Sequence, residues 1–314
     1  MATSEPFANR HDVAVAGGAL RVARSGPEAS GADAVVLAVH GVTSSHLAWR
    51  AVARELAAPD VCLLAPDLRG RGRSARLPAP YGIAAHVADL LAVLDDAGAQ
   101  RVVLAGHSMG GFVVARLAAE HPDRVASVVL LDGGVPLPLP GDEDPEAVLE
   151  KVVGQAVARL RMTFASPEDY IAYWRRHPAF AHAWNDDVEL YAGYDVAGPP
   201  GAMRSVVSMD AVRADSADLL DEPAARAAVD GIASSLRLLR ARRGFLDQED
   251  KPFIPLEALQ AFAADHPDAD VEDVAGVNHY TLTLGESPGP ARVADAIRAA
   301  IREAGPRTDP TPTR

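Results

Sequence analysis

Near the N-terminus two short runs alternate polar and apolar residues, HDVAV from His11 and ALRVARS from Ala19, with Gly17 and Gly18 between them. A period of two around a glycine pair predicts a β-hairpin. From Ala34 the rhythm changes. Unbroken apolar runs (AVVLAVHG, VCLLAPD, VVLAGHS, ASVVLLDGG) alternate with segments whose apolar positions recur every three or four residues (SSHLAWRAVARELA, IAAHVADLLAVLDDAG, GGFVVARLAAEHP). A strand that is apolar throughout is buried on both faces, and amphipathic helices between such strands supply the cover. The pattern therefore predicts an α/β fold, a mostly parallel central sheet with helices on both faces. Functional groups on such a sheet gather at the carboxyl ends of its strands.

The alternation stops from about Leu139 to Pro223. This stretch is helical in places, as in AVLEKVVGQAVARLRMTF, and holds Phe164, Tyr170, Tyr173, Trp174, Phe180, Trp184, Tyr191 and Tyr194, half of the 16 aromatic residues of the chain. Strand and helix patterns then resume with SSLRLLRARRG, PLEALQAFAADHP, ADVEDVAG and PARVADAIRAAIREAG. The expected organisation is a sheet-building core over 1–138, a helical cap insertion over 139–223, the rest of the core over 224–305 and a disordered tail over 306–314. The rings of the insertion either line an apolar pocket beside the strand ends or form a small core of their own. Trp174, Trp184, Tyr191 and Tyr194 are the candidate pocket residues.

Composition narrows the function classes. A formal charge of −13, from 30 basic and 43 acidic residues, argues against nucleic acid, which needs a basic surface. No apolar run reaches the length of a membrane span, and the N-terminus lacks a basic start followed by an apolar stretch, so a cytoplasmic protein is expected. The single cysteine, Cys62, lies inside the apolar run VCLLAPD and reads as a packed strand residue. No metal-ligand spacing occurs, so neither metal nor cofactor is expected. The locally basic loop DLRGRGRS from Asp67 reads as a solvated, glycine-rich turn, since it lacks a phosphate-loop pattern. The expected partner is a small-molecule substrate, with no nucleic acid and no membrane; monomer and homodimer both stay open.

Chemistry concentrates in VVLAGHSMGGFVVARL. Gly106-His107-Ser108-Met109-Gly110 is a G-x-S-x-G sequence between an apolar strand and an amphipathic helix, the context a nucleophile elbow requires. Glycines two residues to either side let the serine occupy a tight turn that lifts its hydroxyl off the sheet. The helix that follows directs free N–H groups at the serine, so the Met109 N–H is a candidate oxyanion donor. A serine hydroxyl needs a base. Among ten histidines, His279 follows the last apolar run in a loop before the final helix, whereas His107 would point to the other side of its strand.

With His40-Gly41, DLRGRGRS, GHSMGG, HPDRV from His121 and NHY from Asn278 in this order, nearly the whole chain resembles a capped serine hydrolase of the α/β-hydrolase superfamily. The resemblance implies that Val42, after the His-Gly pair, donates the second oxyanion N–H, and that His40 is structural. It implies an acid most often after the strand LRLLRAR, where RGFLDQED supplies Gly244 and Asp247; Asp250 lies three residues further. Some members place the acid one strand earlier, where VVLLDGG offers Asp132. Asp247 is preferred, with Asp132 its rival. A serine at the elbow argues against haloalkane dehalogenase and epoxide hydrolase readings, whose nucleophile is an aspartate. Hydrolysis of a carboxylic ester or lactone of a hydrophobic or aromatic small molecule is expected. C–C bond hydrolysis of a vinylogous diketone and a slow-turnover receptor stay open.

Overall fold

The structure, a computed structural model, describes residues 5–136, 154, 157–286 and 288–305. The first part of the inserted stretch, most of its expected first helix and the tail over 306–314 lie outside these residues.

The N-terminal hairpin forms as β1 (Asn9–Val15) and β2 (Gly18–Ser25). Then follow β3 (Ala34–Val39), α1 (Arg50–Leu56), β4 (Val61–Pro66), α2 (Ile83–Asp96), β5 (Val102–His107), α3 (Met109–Glu120) and β6 (Val125–Leu131). The inserted stretch contributes α4 (Pro167–Arg175), α5 (Asp186–Tyr194), a two-stranded ribbon of β7 (Val196–Ala197) and β8 (Arg204–Ser205), and α6 (Met209–Leu219). The chain then passes through α7 (Glu222–Asp230), β9 (Ser235–Arg243), α8 (Leu256–Asp265), β10 (Asp270–Asn278) and α9 (Gly289–Ala304).

Eight strands form one sheet in the order β1-β2-β4-β3-β5-β6-β9-β10, parallel except for the two pairings made by β2. The apolar runs are unbroken because both faces are covered. Along β3, Val35, Leu37 and Val39 enter one core with Leu90 and Leu94 of α2 and Val113 of α3. Val36 and Ala38 enter the other, with Val52 and Leu56 of α1 and Val293 and Ile297 of α9. Cys62 is buried in β4. Among the described residues no helix is long and apolar enough to cross a membrane.

Two features position the site. β3 is followed by β4 on one side, while β5 pairs on its other side with Val39 opposite Gly106. The connections leaving β3 and β5 therefore diverge, which opens a crevice at their carboxyl ends. The insertion leaves the sheet between β6 and β9, whose strands pair directly. Its expected end at Pro223 falls inside α7, and Ala225 and Val229 of that helix pack into the sheet's own core.

Candidate active site

Ser108 closes β5 and precedes α3 with φ 56° and ψ −125°, a conformation that non-glycine residues seldom adopt and that recurs at functional turns. Close packing holds it there. A Cβ on Gly110 would lie 2.1 Å from the Val39 carbonyl oxygen, and one on Gly106 2.3 Å from that of Gly110. Only glycine allows the helix start to come this near the sheet. The Ser108 N–H donates to the Leu131 carbonyl at 2.9 Å, which ties the elbow to the end of β6.

His279 follows β10. Its Nδ1 donates to Asp132 Oδ2 at 2.7 Å, with the two side chains 3% and 0% exposed. Asp132 sits one residue beyond β6 with φ 43°, and its Oδ1 accepts the Ala241 N–H at 3.2 Å. Gly133 packs against Ser108 so closely that a Cβ there would lie 2.1 Å from the Ser108 carbonyl oxygen. The elbow and the acid are thus neighbours across β5 and β6.

The geometry brings Asp132, and not Asp247, to the His279 imidazole. Asp247 Oδ1 accepts from Arg243 Nε at 2.8 Å and from Asn278 Nδ2 at 3.0 Å. Its charge is paired at the rim, and Asp250 is exposed. The loop after β9 brings rings to His279 instead: Phe245 at 4.1 Å and Phe253 at 5.0 Å between centroids. His107 also differs from expectation. It faces His279, with ring centroids 4.7 Å apart, and its Nε2 donates to the His279 carbonyl at 2.8 Å. Burial pushes the His107 pKa well down, so the ring is a neutral donor.

Met109 follows Ser108 directly, and Gly41, next to Val42, approaches it from β3. Met109 opens α3, where backbone N–H groups are free of helical partners. A Cβ on Gly41 would lie 3.3 Å from Ser108 Oγ, which brings the Gly41–Val42 peptide alongside the hydroxyl. His40 uses both ring nitrogens, donating from Nδ1 to the Gly41 carbonyl at 2.8 Å and accepting the Leu68 N–H on Nε2 at 2.9 Å. Burial lowers its pKa to about 3.

The basic loop after β4 is not solvated: Arg69 and Arg71 are 2% and 0% exposed. Arg71 Nε donates to the Val42 carbonyl at 2.8 Å, and its guanidinium pairs with Asp215 of α6 at 2.5 Å. Asp215 also meets His86 Nε2 at 3.1 Å and accepts the Gly82 N–H at 2.7 Å, while Asp218 accepts the Ile83 N–H at 2.7 Å. The inserted helix α6 thus caps α2 and, through Arg71, braces the loop that carries Val42. A second brace is Asp67. It accepts from the His46 ring at 2.7 Å, the His46 N–H at 2.9 Å and the Tyr194 hydroxyl at 2.6 Å. Burial alone would raise the Asp67 pKa, but His46 and Tyr194 outweigh it and hold the carboxyl well below the usual range.

The four candidate pocket rings separate. Trp174 and Tyr191 are buried 5.9 Å from each other, and the Tyr191 hydroxyl lies near Ser44, just beyond Val42. Tyr280, beside His279, joins this cluster, 5.9 Å from Trp174 and 5.4 Å from Phe180. Tyr194 instead spends its hydroxyl on Asp67 and its ring on Arg73 at 4.6 Å. Trp184 stacks on Arg175 at 5.0 Å and reaches Glu189 at 3.4 Å, both exposed side chains. The sequence reading missed His107, Arg71, Phe245 and Phe253; only the two phenylalanines carried a signal, by lying after a strand's carboxyl end.

Residues 34–164 match the family model described as the alpha/beta hydrolase fold. Lipase LipV of Mycobacterium tuberculosis is 47% identical over 118 residues, which cover 38% of this chain and 43% of the relative. Epoxide hydrolase A of the same organism is 37% identical over 211 residues, 65% of this chain and 60% of the relative. The chain thus spans about half the length of these relatives. The crystal structure of E-2-(acetamidomethylene)succinate hydrolase superposes with a TM-score of 0.74 at 22% identity, covering 94% of this chain and 99% of that one. With its sheet order and its strand-turn-helix elbow, the chain is a protein of the α/β-hydrolase fold.

Proposed function

We propose that the protein is a serine hydrolase that cleaves carboxylic esters of apolar or aromatic small molecules, with Ser108, His279 and Asp132 as its triad. The observation that carries this reading is the buried 2.7 Å contact of His279 with Asp132 beside the strained turn of Ser108. Asp132 orients the imidazole and stabilises its charged form. Ser108 Oγ attacks the ester carbonyl as its proton passes to His279 Nε2, and the oxygen that becomes negative is held by the N–H groups of Val42 and Met109. Collapse breaks the ester bond, and the alcohol leaves with the proton from His279. Water then attacks the acyl-serine, giving its proton to His279, and the acid departs as Ser108 recovers its hydrogen. Every step uses side chains and backbone groups of this chain alone. We further propose that the inserted stretch acts as a cap, since Tyr194 and Asp215 fasten it to the loops at the strand ends.

The test compares the wild type with Ser108→Ala on p-nitrophenyl and aromatic esters, and labels both with a fluorophosphonate. Turnover and labelling should both vanish in the variant. A folded wild type that neither turns over nor labels would overturn the reading.

A further inference from the structure

The mechanism leaves unused a guanidinium buried in the inserted stretch. Arg159 is 2% exposed. Its Nη1 donates to the Tyr170 hydroxyl and to the Asp195 carboxylate, and Ser205 Oγ holds Asp195 at 2.9 Å. Among the described residues Arg159 Nη2 makes no well-formed hydrogen bond. Beside it, the Trp174 ring lies 4.9 Å from the guanidinium carbon, and the indole Nε1, although it borders the Tyr170 hydroxyl, makes no well-formed hydrogen bond either. Leaving a buried donor unsatisfied costs about 1–3 kcal/mol, and more when it is charged. Native interiors rarely leave such groups unmade without a reason. Both donors thus belong to one buried cluster, with the guanidinium over the face of the indole.

Their place connects them to the reacting centre. Trp174 is 5.9 Å from Tyr280, and Tyr280 is 5.9 Å from His279. His177, 5.5 Å from Trp174 and 5.6 Å from Tyr280, completes the wall. Its ring is neutral, because burial and then the Arg159 charge lower its pKa to about 4, so it does not compete as a cation.

We propose that Arg159 and Trp174 form a carboxylate-binding subsite, so that the substrates are esters with an apolar body and a carboxylate at the end remote from the scissile bond. This rests on the serine hydrolase reading above. Two donors and a positive charge match a carboxylate, and the Tyr280 ring lies between Trp174 and His279. A charged carboxylate accepts from such N–H donors about twice as strongly as a neutral carbonyl does. Both donors are sealed from solvent, so a ligand reaches them by displacing part of the ring packing around Trp174.

The test uses mono-p-nitrophenyl esters of adipic, suberic and sebacic acid, each against the diester whose second carboxyl is methylated. In the wild type kcat/KM should favour the free acid by roughly tenfold to a hundredfold at one chain length, the range expected for a charge-assisted hydrogen bond. Arg159→Met should abolish that ratio, Arg159→Lys should keep part of it, and Trp174→Phe should lower it several-fold. A ratio near one in the wild type at every length overturns the subsite, as does an Arg159→Met that slows both esters equally. If Arg159→Met fails to fold, wild-type inhibition decides: suberate should compete at least tenfold better than its diamide, and equal inhibition overturns the proposal. Fluorophosphonate labelling of Ser108 separates the two readings, since a labelled enzyme without the preference loses only the subsite.

Discussion

Two neighbouring strands of the sheet, β6 and β9, are each followed by an aspartate in the left-handed region, Asp132 at φ 43° and Asp247 at φ 63°. Asp132 comes directly after its strand, is fully buried, and meets one titratable partner, His279. Asp247 comes after a short turn, keeps about a third of its side chain exposed, and is paired with Arg243. Both touch the His279 loop, one through the imidazole and the other through Asn278. A carboxylate without a cation of its own can stabilise a developing imidazolium; one already bound to a guanidinium has little left to offer.

Asp132→Asn should break the comparison most visibly. The amide keeps the volume but favours the wrong tautomer of His279, so kcat should fall about 10³–10⁴-fold with folding largely intact, as checked by steady-state kinetics beside thermal melts. A loss smaller than that of Asp247→Asn would reverse the assignment. His107→Leu comes next. It removes the N–H that fixes the His279 carbonyl and leaves that carbonyl buried and unpaired, which should lower stability by about 1–3 kcal/mol, with kcat down about tenfold, given about 1.4 kcal/mol per decade. Chemical denaturation and kcat measured on the same preparation would separate the two effects. Asp247→Asn should do least. A partly exposed ion pair is worth about 0–1 kcal/mol, so kcat should stay within about threefold. A hundredfold loss there would show that the Asn278 link carries more of the positioning than its geometry suggests.

The hairpin, the sheet rhythm, the elbow and His279 were legible because each rests on local spacing: period two, period 3.6, glycines around a serine, a histidine after the last strand. The acid was not. Choosing between Asp132 and Asp247 requires the depth of each strand end and the course of the turn after β9, and no local pattern reports that Arg243 folds back on Asp247. The loop after β4 misled for a similar reason. Its arginines look solvated by composition, but Asp89 and Asp215, from elements distant in sequence, neutralise Arg69 and Arg71 in the interior. The candidate pocket rings divided because a helical pattern tells which residues are aromatic and not which of them meet a charged neighbour, as Trp184 and Tyr194 do.

The Asp215 cluster bears on modularity. A segment inserted between two strands invites exchange with its counterpart from another scaffold, as if it were a detachable part. Here the graft would remove the counter-charge of Arg71 and the partner of His86, both fully buried, and uncap α2 at Gly82. Stranding a buried charge costs about 3–5 kcal/mol, a large share of the stability of a natural domain. A chimera would therefore have to carry Arg71 and His86 across with α6, or replace all three together by apolar residues.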